Sequence, residues 1–143
     1  MAIKRGTLTY GNFVHFNPNG IPSLKMVLET RERDIVACPD RLALWYDSNH
    51  LEGIEITSQW LFDLGFFDTI RGQMYIHIPG YQNVLLILKD HRHCDGWTTK
   101  IVFGDGGFIL PRQKYVHTLQ NLFTSLSNGE FLKYNKSNNG VTF

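Results

Sequence analysis

A chain of 143 residues is the size of one domain and, on folding, can bury about two-thirds of the surface that its extended form exposes. A hydrophobic share of 43%, with ten Phe, six Tyr and three Trp, excludes a disordered chain of low hydrophobicity. Fourteen Lys and Arg against thirteen Asp and Glu leave a formal charge of +1, too little for a global field that gathers phosphate or an anionic membrane.

The two cysteines, Cys38 and Cys94, are too few and too far apart for a disulfide framework, so free thiols are expected. No apolar run of signal-peptide length follows the basic start at Lys4-Arg5. The longest apolar run, Val84 to Leu88, falls far short of the roughly 20 residues of a membrane helix. The expectation is a soluble cytoplasmic protein, in the host cytoplasm if the gene is viral, with no membrane partner.

In chain order, Thr7 to Phe16 alternates around Gly11-Asn12 and reads as a strand broken by a turn or bulge, closed by Asn17-Pro18-Asn19-Gly20. Leu24 to Glu29, Asp34 to Ala37 and Leu42 to Tyr46 read as three further strands, so the first fifty residues form a short-stranded β unit. Ile54-Glu55-Ile56 hands over to Thr57-Ser58, candidate helix N-caps, and Trp60, Leu61 and Leu64 share a helical face before Gly65 stops the helix.

Gln73 to Ile78 alternates strictly, with Met74, Ile76 and Ile78 on one side and Tyr75 and His77 on the other. Val84 to Lys89 is apolar enough for a buried strand, and Trp97 to Phe103 follows the loop Asp90 to Gly96. Gly104 to Gly107 turns into Phe108-Ile109-Leu110, which completes an antiparallel meander. Pro111 suits the first turn of a helix to Ser127, with Tyr115, Leu119, Leu122, Phe123 and Leu126 on one stripe and Asn128-Gly129 as its stop. The pattern predicts a single α+β domain over 1–134 and a flexible tail over 135–143.

Three segments carry a family resemblance. Leu8-Thr9-Tyr10-Gly11-Asn12-Phe13-Val14 is similar to a Leu-x-x-Gly-Asn-Tyr-Val motif. Ile54 to Phe66 is similar to Ile-x-Leu-Thr-x-x-Trp-Leu-x-x-Phe-Gly-Phe, with Leu64 in place of a Phe. Tyr115-Val116-His117-Thr118-Leu119-Gln120-Asn121-Leu122-Phe123 is similar to Tyr-Val-His-x-Leu-Gln-Asn-Leu-Tyr. Together they resemble a family of small uncharacterised proteins of Bacteroidota and their phages. The departures lie in the closing turn, where Leu126 to Leu132 replaces the family's Leu-Thr-Gly-Glu-Glu-Leu. The resemblance implies a shared fold and a phage or mobile-element origin; it implies no chemistry.

Several clusters are candidate sites. His91, His93 and Cys94, with Asp95, gather zinc-ligand types in five residues, but no second ligand pair of the spacing of a structural zinc site occurs, so a polar hairpin loop competes with a metal site. Asp90, Asp95 and Asp105 are candidates for paired carboxylates at one end of the meander, or for turn residues. Gly104-Asp105-Gly106-Gly107 lacks the Gly-Lys-Ser/Thr of a phosphate loop and reads as a hairpin turn. Arg31, Arg33 and Arg41 with Lys25, or Lys4 and Arg5 with Tyr10 and Phe13, are a candidate basic, aromatic patch for single-stranded nucleic acid, although Glu29, Glu32, Asp34 and Asp40 are interspersed.

His117, Gln120 and Asn121 form a polar stripe beside the apolar face of the last helix, either a binding surface or a set of internal hydrogen bonds. Phe62, Phe66 and Phe67 exceed what a two-turn helix can bury, and Phe62 with one of Phe66 or Phe67 is expected to face a protein partner or a second copy. No nucleophile with an attendant base is apparent, and no cofactor is expected. The expectation is a non-catalytic binding protein that acts through protein contacts. A nucleic-acid-binding module is the alternative, and a metal-dependent enzyme the weaker one.

Overall fold

The computed structural model describes residue 3 and residues 7–30, 34–38, 44–69, 71–90 and 95–135, with the side chains of 34–38, 44, 45, 47 and 48 set aside. The fold is α+β. Its N-terminal unit contains β1 (Phe13–Phe16), β2 (Ser23–Thr30), β3 (Asp34–Cys38), β4 (Leu44–Asp47), a 3₁₀ turn at Ser48–His50 and β5 (Leu51–Glu52). Helix α1 (Ser58–Asp63) leads into β6 (Phe67–Asp68), β7 (Gln73–His77), β8 (Val84–Asp90), β9 (Trp97–Phe103) and β10 (Gly106–Gln113), and α2 (Val116–Leu126) follows. The described strands form two antiparallel sheets, in the orders β4-β3-β2-β1-β5 and β10-β9-β8-β7-β6.

One core joins both sheets and both helices. Phe13 from β1, Ile54 and Ile56, Leu61 and Leu64 from α1, Met74, Leu86, Leu88 and Trp97 from the second sheet, and Val116, Leu119 and Phe123 from α2 pack together. Alternation turns the neighbouring Val14 to the opposite face of the first sheet, where it joins Val27 and Leu51 beneath Ile3, Leu8 and Phe16.

Several local signals act as read. The Thr57 hydroxyl accepts from the Trp60 N–H at 3.1 Å and caps α1. Gly65 takes φ +94°, and its N–H and that of Phe66 bond back to Phe62 and Leu61 carbonyls, ending the helix. Asn128 and Gly129, both at positive φ, end α2.

Three expectations need correction. The stretch before Gly11 is a turn rather than strand, and β1 begins only at Phe13. Pro111 lies not in a helix but in β10, the outermost strand, where register shifts between Leu110 and Gln113; a residue without an N–H is tolerated on an edge at a bulge. The last helix therefore starts at Val116, after an extended Tyr115 that bridges Glu55. The Val84 to Lys89 strand is buried on one face only: Leu86 and Leu88 are enclosed, whereas Leu85 and Ile87 are half-buried on the other side. Residues 136–143 of the expected tail lie outside the described residues. No helix among the described residues is long and apolar enough to cross a membrane.

Candidate functional site

The three motif segments converge. Gln120 on α2 accepts the Phe13 N–H at 2.8 Å through Oε1 and donates to the Gly11 carbonyl at 2.9 Å through Nε2. Asn121 accepts from Thr9 Oγ1 at 2.8 Å and from Asn12 Nδ2 at 2.9 Å, and donates to the Thr7 carbonyl at 2.7 Å. On the other side of α2, the Ile56 N–H bonds to the Lys114 carbonyl and the Val116 N–H to the Ile54 carbonyl. Trp97 Nε1 donates to the Ile56 carbonyl, and the Phe13 and Trp60 rings meet at 5.7 Å.

Of the two readings of the polar stripe, the seam favours internal hydrogen bonds over a binding surface. Gln120 is buried, and the amide oxygens and nitrogens of Gln120 and Asn121 are all engaged within the chain, so they hold α2 to the turn before β1 rather than meet a partner. His117 is also buried, stacked on Tyr115 at 5.8 Å, with an Nδ1 that has no hydrogen-bond partner. Burial pushes its imidazole down to about 4. Of the pair Phe66 and Phe67, Phe66 is enclosed in the core at 2% exposure and leaves the candidate set, while Phe67 is exposed, as is Phe62.

Of the three expected carboxylates, Asp90 and Asp95 line one cleft with Glu55 and Lys114, and Asp105 lies apart from them. Asp90 pairs with Trp97 at the start of β9, and Asp95 bonds Lys114 Nζ at 3.0 Å; Glu55 lies 3.8 Å from the same nitrogen. The hydrogen bond to Asp95 raises the Lys114 ammonium above its usual range. Asp105 sits in the turn at the far end of β9, about 20 Å away at the ordinary strand rise over its seven residues. His91, His93 and Cys94 lie outside the described residues, as do Lys4, Arg5, Arg31, Arg33 and Arg41. Among the described residues no three His, Cys, Asp or Glu side chains gather as a metal site. Lys25 is buried over the Tyr46 ring at 4.8 Å and is withdrawn from any phosphate surface.

Clefts and one open sheet face remain among the described residues. A cleft of about 290 Å³ opens beside the exposed Tyr10 and Phe131, but Asn12 and Gln120 in its wall have already used their polar atoms within the seam. The larger feature is the outer face of the second sheet. Because Met74, Leu86, Leu88 and Trp97 point into the core, alternation sends Tyr75, His77, Leu85, Ile87, Lys89, Thr98, Lys100 and Val102 outward. Register aligns them: Phe67 opposes Tyr75, Tyr75 opposes Ile87, Ile87 opposes Lys100, and Lys100 opposes Ile109. In the next row His77, Leu85 and Val102 are cross-strand neighbours.

No element among the described residues covers this face. Phe67 is 57% exposed and Ile109 89% exposed, while Tyr75, Leu85, Ile87 and Val102 are half-buried by one another. The charged side chains on it are Lys89, Lys100 and the exposed Arg112, which precedes the inward Gln113 opposite Trp97; Asp68 and Asp90 belong to the opposite parity. Sequence reading found Phe67 and the Tyr75 side of β7 but missed Leu85, Ile87 and Val102. The available signal was the unbroken Val84 to Leu88 run, which makes both faces of a strand apolar, in a sheet whose helices cover only one. No protein-family model matches the chain, and neither a curated protein nor a solved structure does.

Proposed function

We propose that this protein is a non-catalytic binding protein whose interface is the outer face of its second sheet. The observation that carries the reading is the uncovered row Phe67, Tyr75 and Ile87, with Leu85 and Val102 beside it. Exposed apolar side chains that adjoin across several strands mark interaction surfaces. An aliphatic centre with an aromatic flank matches the core of a protein interface. The partner is a protein with an apolar patch flanked by carboxylates, because the charges on this face are Lys89, Lys100 and Arg112. The same three cations oppose face-to-face pairing of two copies. The resemblance to phage-associated proteins supports an accessory or inhibitory role toward a host protein.

Single-stranded nucleic acid is the second reading, favoured by Phe67 and Tyr75 beside the two lysines, since each stacked base contributes about 1–3 kcal/mol. Leu85, Ile87 and Val102 give no stacking surface, and three phosphate contacts, from Lys89, Lys100 and Arg112, would set a salt slope of only about −2.1. The aliphatic centre therefore favours protein.

The test is native mass spectrometry of the untagged chain from a related host, beside Ile87→Lys. A carboxylate-rich partner retained by the parent chain and lost from the folded variant is the expected result. Retention of the same partner by Ile87→Lys, or turnover of a substrate that vanishes with one pocket residue, would overturn the reading.

A further inference from the structure

Strand β10, whose Ile109 closes the outer-face row, also offers a free backbone edge that the binding-face reading does not use. It is the outermost strand, with no neighbour on its far side among the described residues. An edge strand directs every second N–H and C=O away from its own sheet, and proteins usually blunt such edges with charges, prolines or bulges. In β10 these devices gather at one end, as Pro111, Arg112 and the register shift after Leu110. The five residues before them, Gly106-Gly107-Phe108-Ile109-Leu110, carry no charge and no proline. Phe108 is 64% exposed and Ile109 89% exposed, and they lie on opposite faces of the strand. An occupant that covers both must extend the sheet.

We propose that a second copy of this chain pairs with β10 edge to edge, antiparallel, about a two-fold axis through Phe108. In that register Gly106 opposes Leu110 of the other copy, Gly107 opposes Ile109, and Phe108 opposes its own counterpart. Each aliphatic side chain lies over a glycine, which has no side chain to displace it. The two Phe108 rings meet at the axis, each already against its own Phe103 at 5.4 Å. Pro111 falls outside the ladder, so its missing N–H forfeits no bond.

Charge does not oppose the pairing. Lys100 sits one strand in from the edge, so its two copies are three strand spacings apart, about 14 Å. That exceeds the Debye length of about 10 Å at 0.1 M salt. The ladder is short, well below the roughly 800 Å² per partner of a standard interface, so the dimer is weak and concentration-dependent.

Sedimentation equilibrium of the purified full chain tests this directly. The expected result is a monomer–dimer equilibrium that weakens at least tenfold in Ile109→Lys, whose unchanged melting temperature shows that the fold is intact. Phe108→Cys, under mild oxidation, is expected to give a covalent dimer that the parent chain does not, because directly opposed residues of an antiparallel pair bring their Cα atoms within disulfide reach. A chain still monomeric at about 1 mM, or a dimer indifferent to Ile109→Lys, would overturn self-pairing. The first outcome leaves the edge to an extended segment of another protein. The experiment needs no outside partner, so its failure is distinguishable from failure of the binding-face reading, which is probed at Ile87.

Discussion

Between α2 and β1 the molecule buries polar side chains, and on the outer face of its second sheet it exposes apolar ones; each reverses the usual placement. In the seam, Gln120 and Asn121 bind five groups of the segment from Thr7 to Phe13. A buried amide costs little only when fully paired, so the seam is stable in one alignment and penalised in every other. On the open face, Tyr75, Leu85, Ile87 and Val102 rest against each other and water, and nothing in the monomer depends on their identity beyond strand formation. The difference assigns roles. Polarity inside specifies how α2 docks, whereas apolarity outside specifies nothing within the monomer and, under the proposed function, serves association.

The contrast predicts unequal responses to substitution. Gln120→Leu keeps the volume but strands the Phe13 N–H and the Gly11 carbonyl, each costing about 1–3 kcal/mol when buried without a partner. A loss of about 4 kcal/mol in urea unfolding is expected. A loss below about 1 kcal/mol would show that the seam does not set the fold.

Acid attacks the same helix next. His117 is held neutral in the folded chain at about 4, against 6.5 in the unfolded chain, so between these values the unfolded state binds the extra proton. Stability is therefore complete above pH 6.5 and falls as pH drops toward 4, by about 3 kcal/mol from this group. His15 is lowered in the same direction by its burial, opposed by Glu52, and adds to the slope. Urea midpoints between pH 4 and 7 should fall with acid, less steeply in His117→Gln; an unaltered slope in the variant would dismiss His117 as the cause.

The seam was legible as motifs but not as a seam. Gly11-Asn12-Phe13 and Gln120-Asn121 stood out in the sequence, and only the folded chain shows that more than a hundred residues of separation are bridged by contacts between them. The β unit, α1 and the meander followed from alternation, capping and turn residues, which are local. The misreadings concern what depends on neighbours. Pro111 is compatible with the start of a helix and with the edge of a sheet, and only strand order decides. That one of the adjacent Phe66 and Phe67 stays outward was legible; which one is decided by the chain reversal at Gly65. The open face was missed because an apolar run states that a strand is apolar on both sides, not that both sides are covered.

A smaller effect sharpens the boundary of the seam. An added Cβ at Gly53 would lie 2.7 Å from the Tyr115 ring and 3.2 Å from the His117 ring, so Gly53→Ala forces that stacked pair to move. Overpacking of this kind costs about 1–3 kcal/mol. Thermal unfolding should report a loss near 2 kcal/mol, and a neutral result would mean that the pair shifts freely and that the seam is confined to Gln120 and Asn121.

The smallest effect is expected on the open face. Ile87→Lys replaces a half-buried side chain by one whose stem can lie along Tyr75 while its ammonium reaches water, so stability should change by no more than about 0.5–1 kcal/mol. Its cost belongs in the complex, where an ammonium would enter a dehydrated apolar contact beside Lys100. Urea unfolding and partner retention, measured on the same preparation, separate the two. A near-native midpoint with the partner lost places Ile87 in an interface. A drop of about 3 kcal/mol would instead make the outer face a structural layer of the monomer and erase the distinction between the two regions.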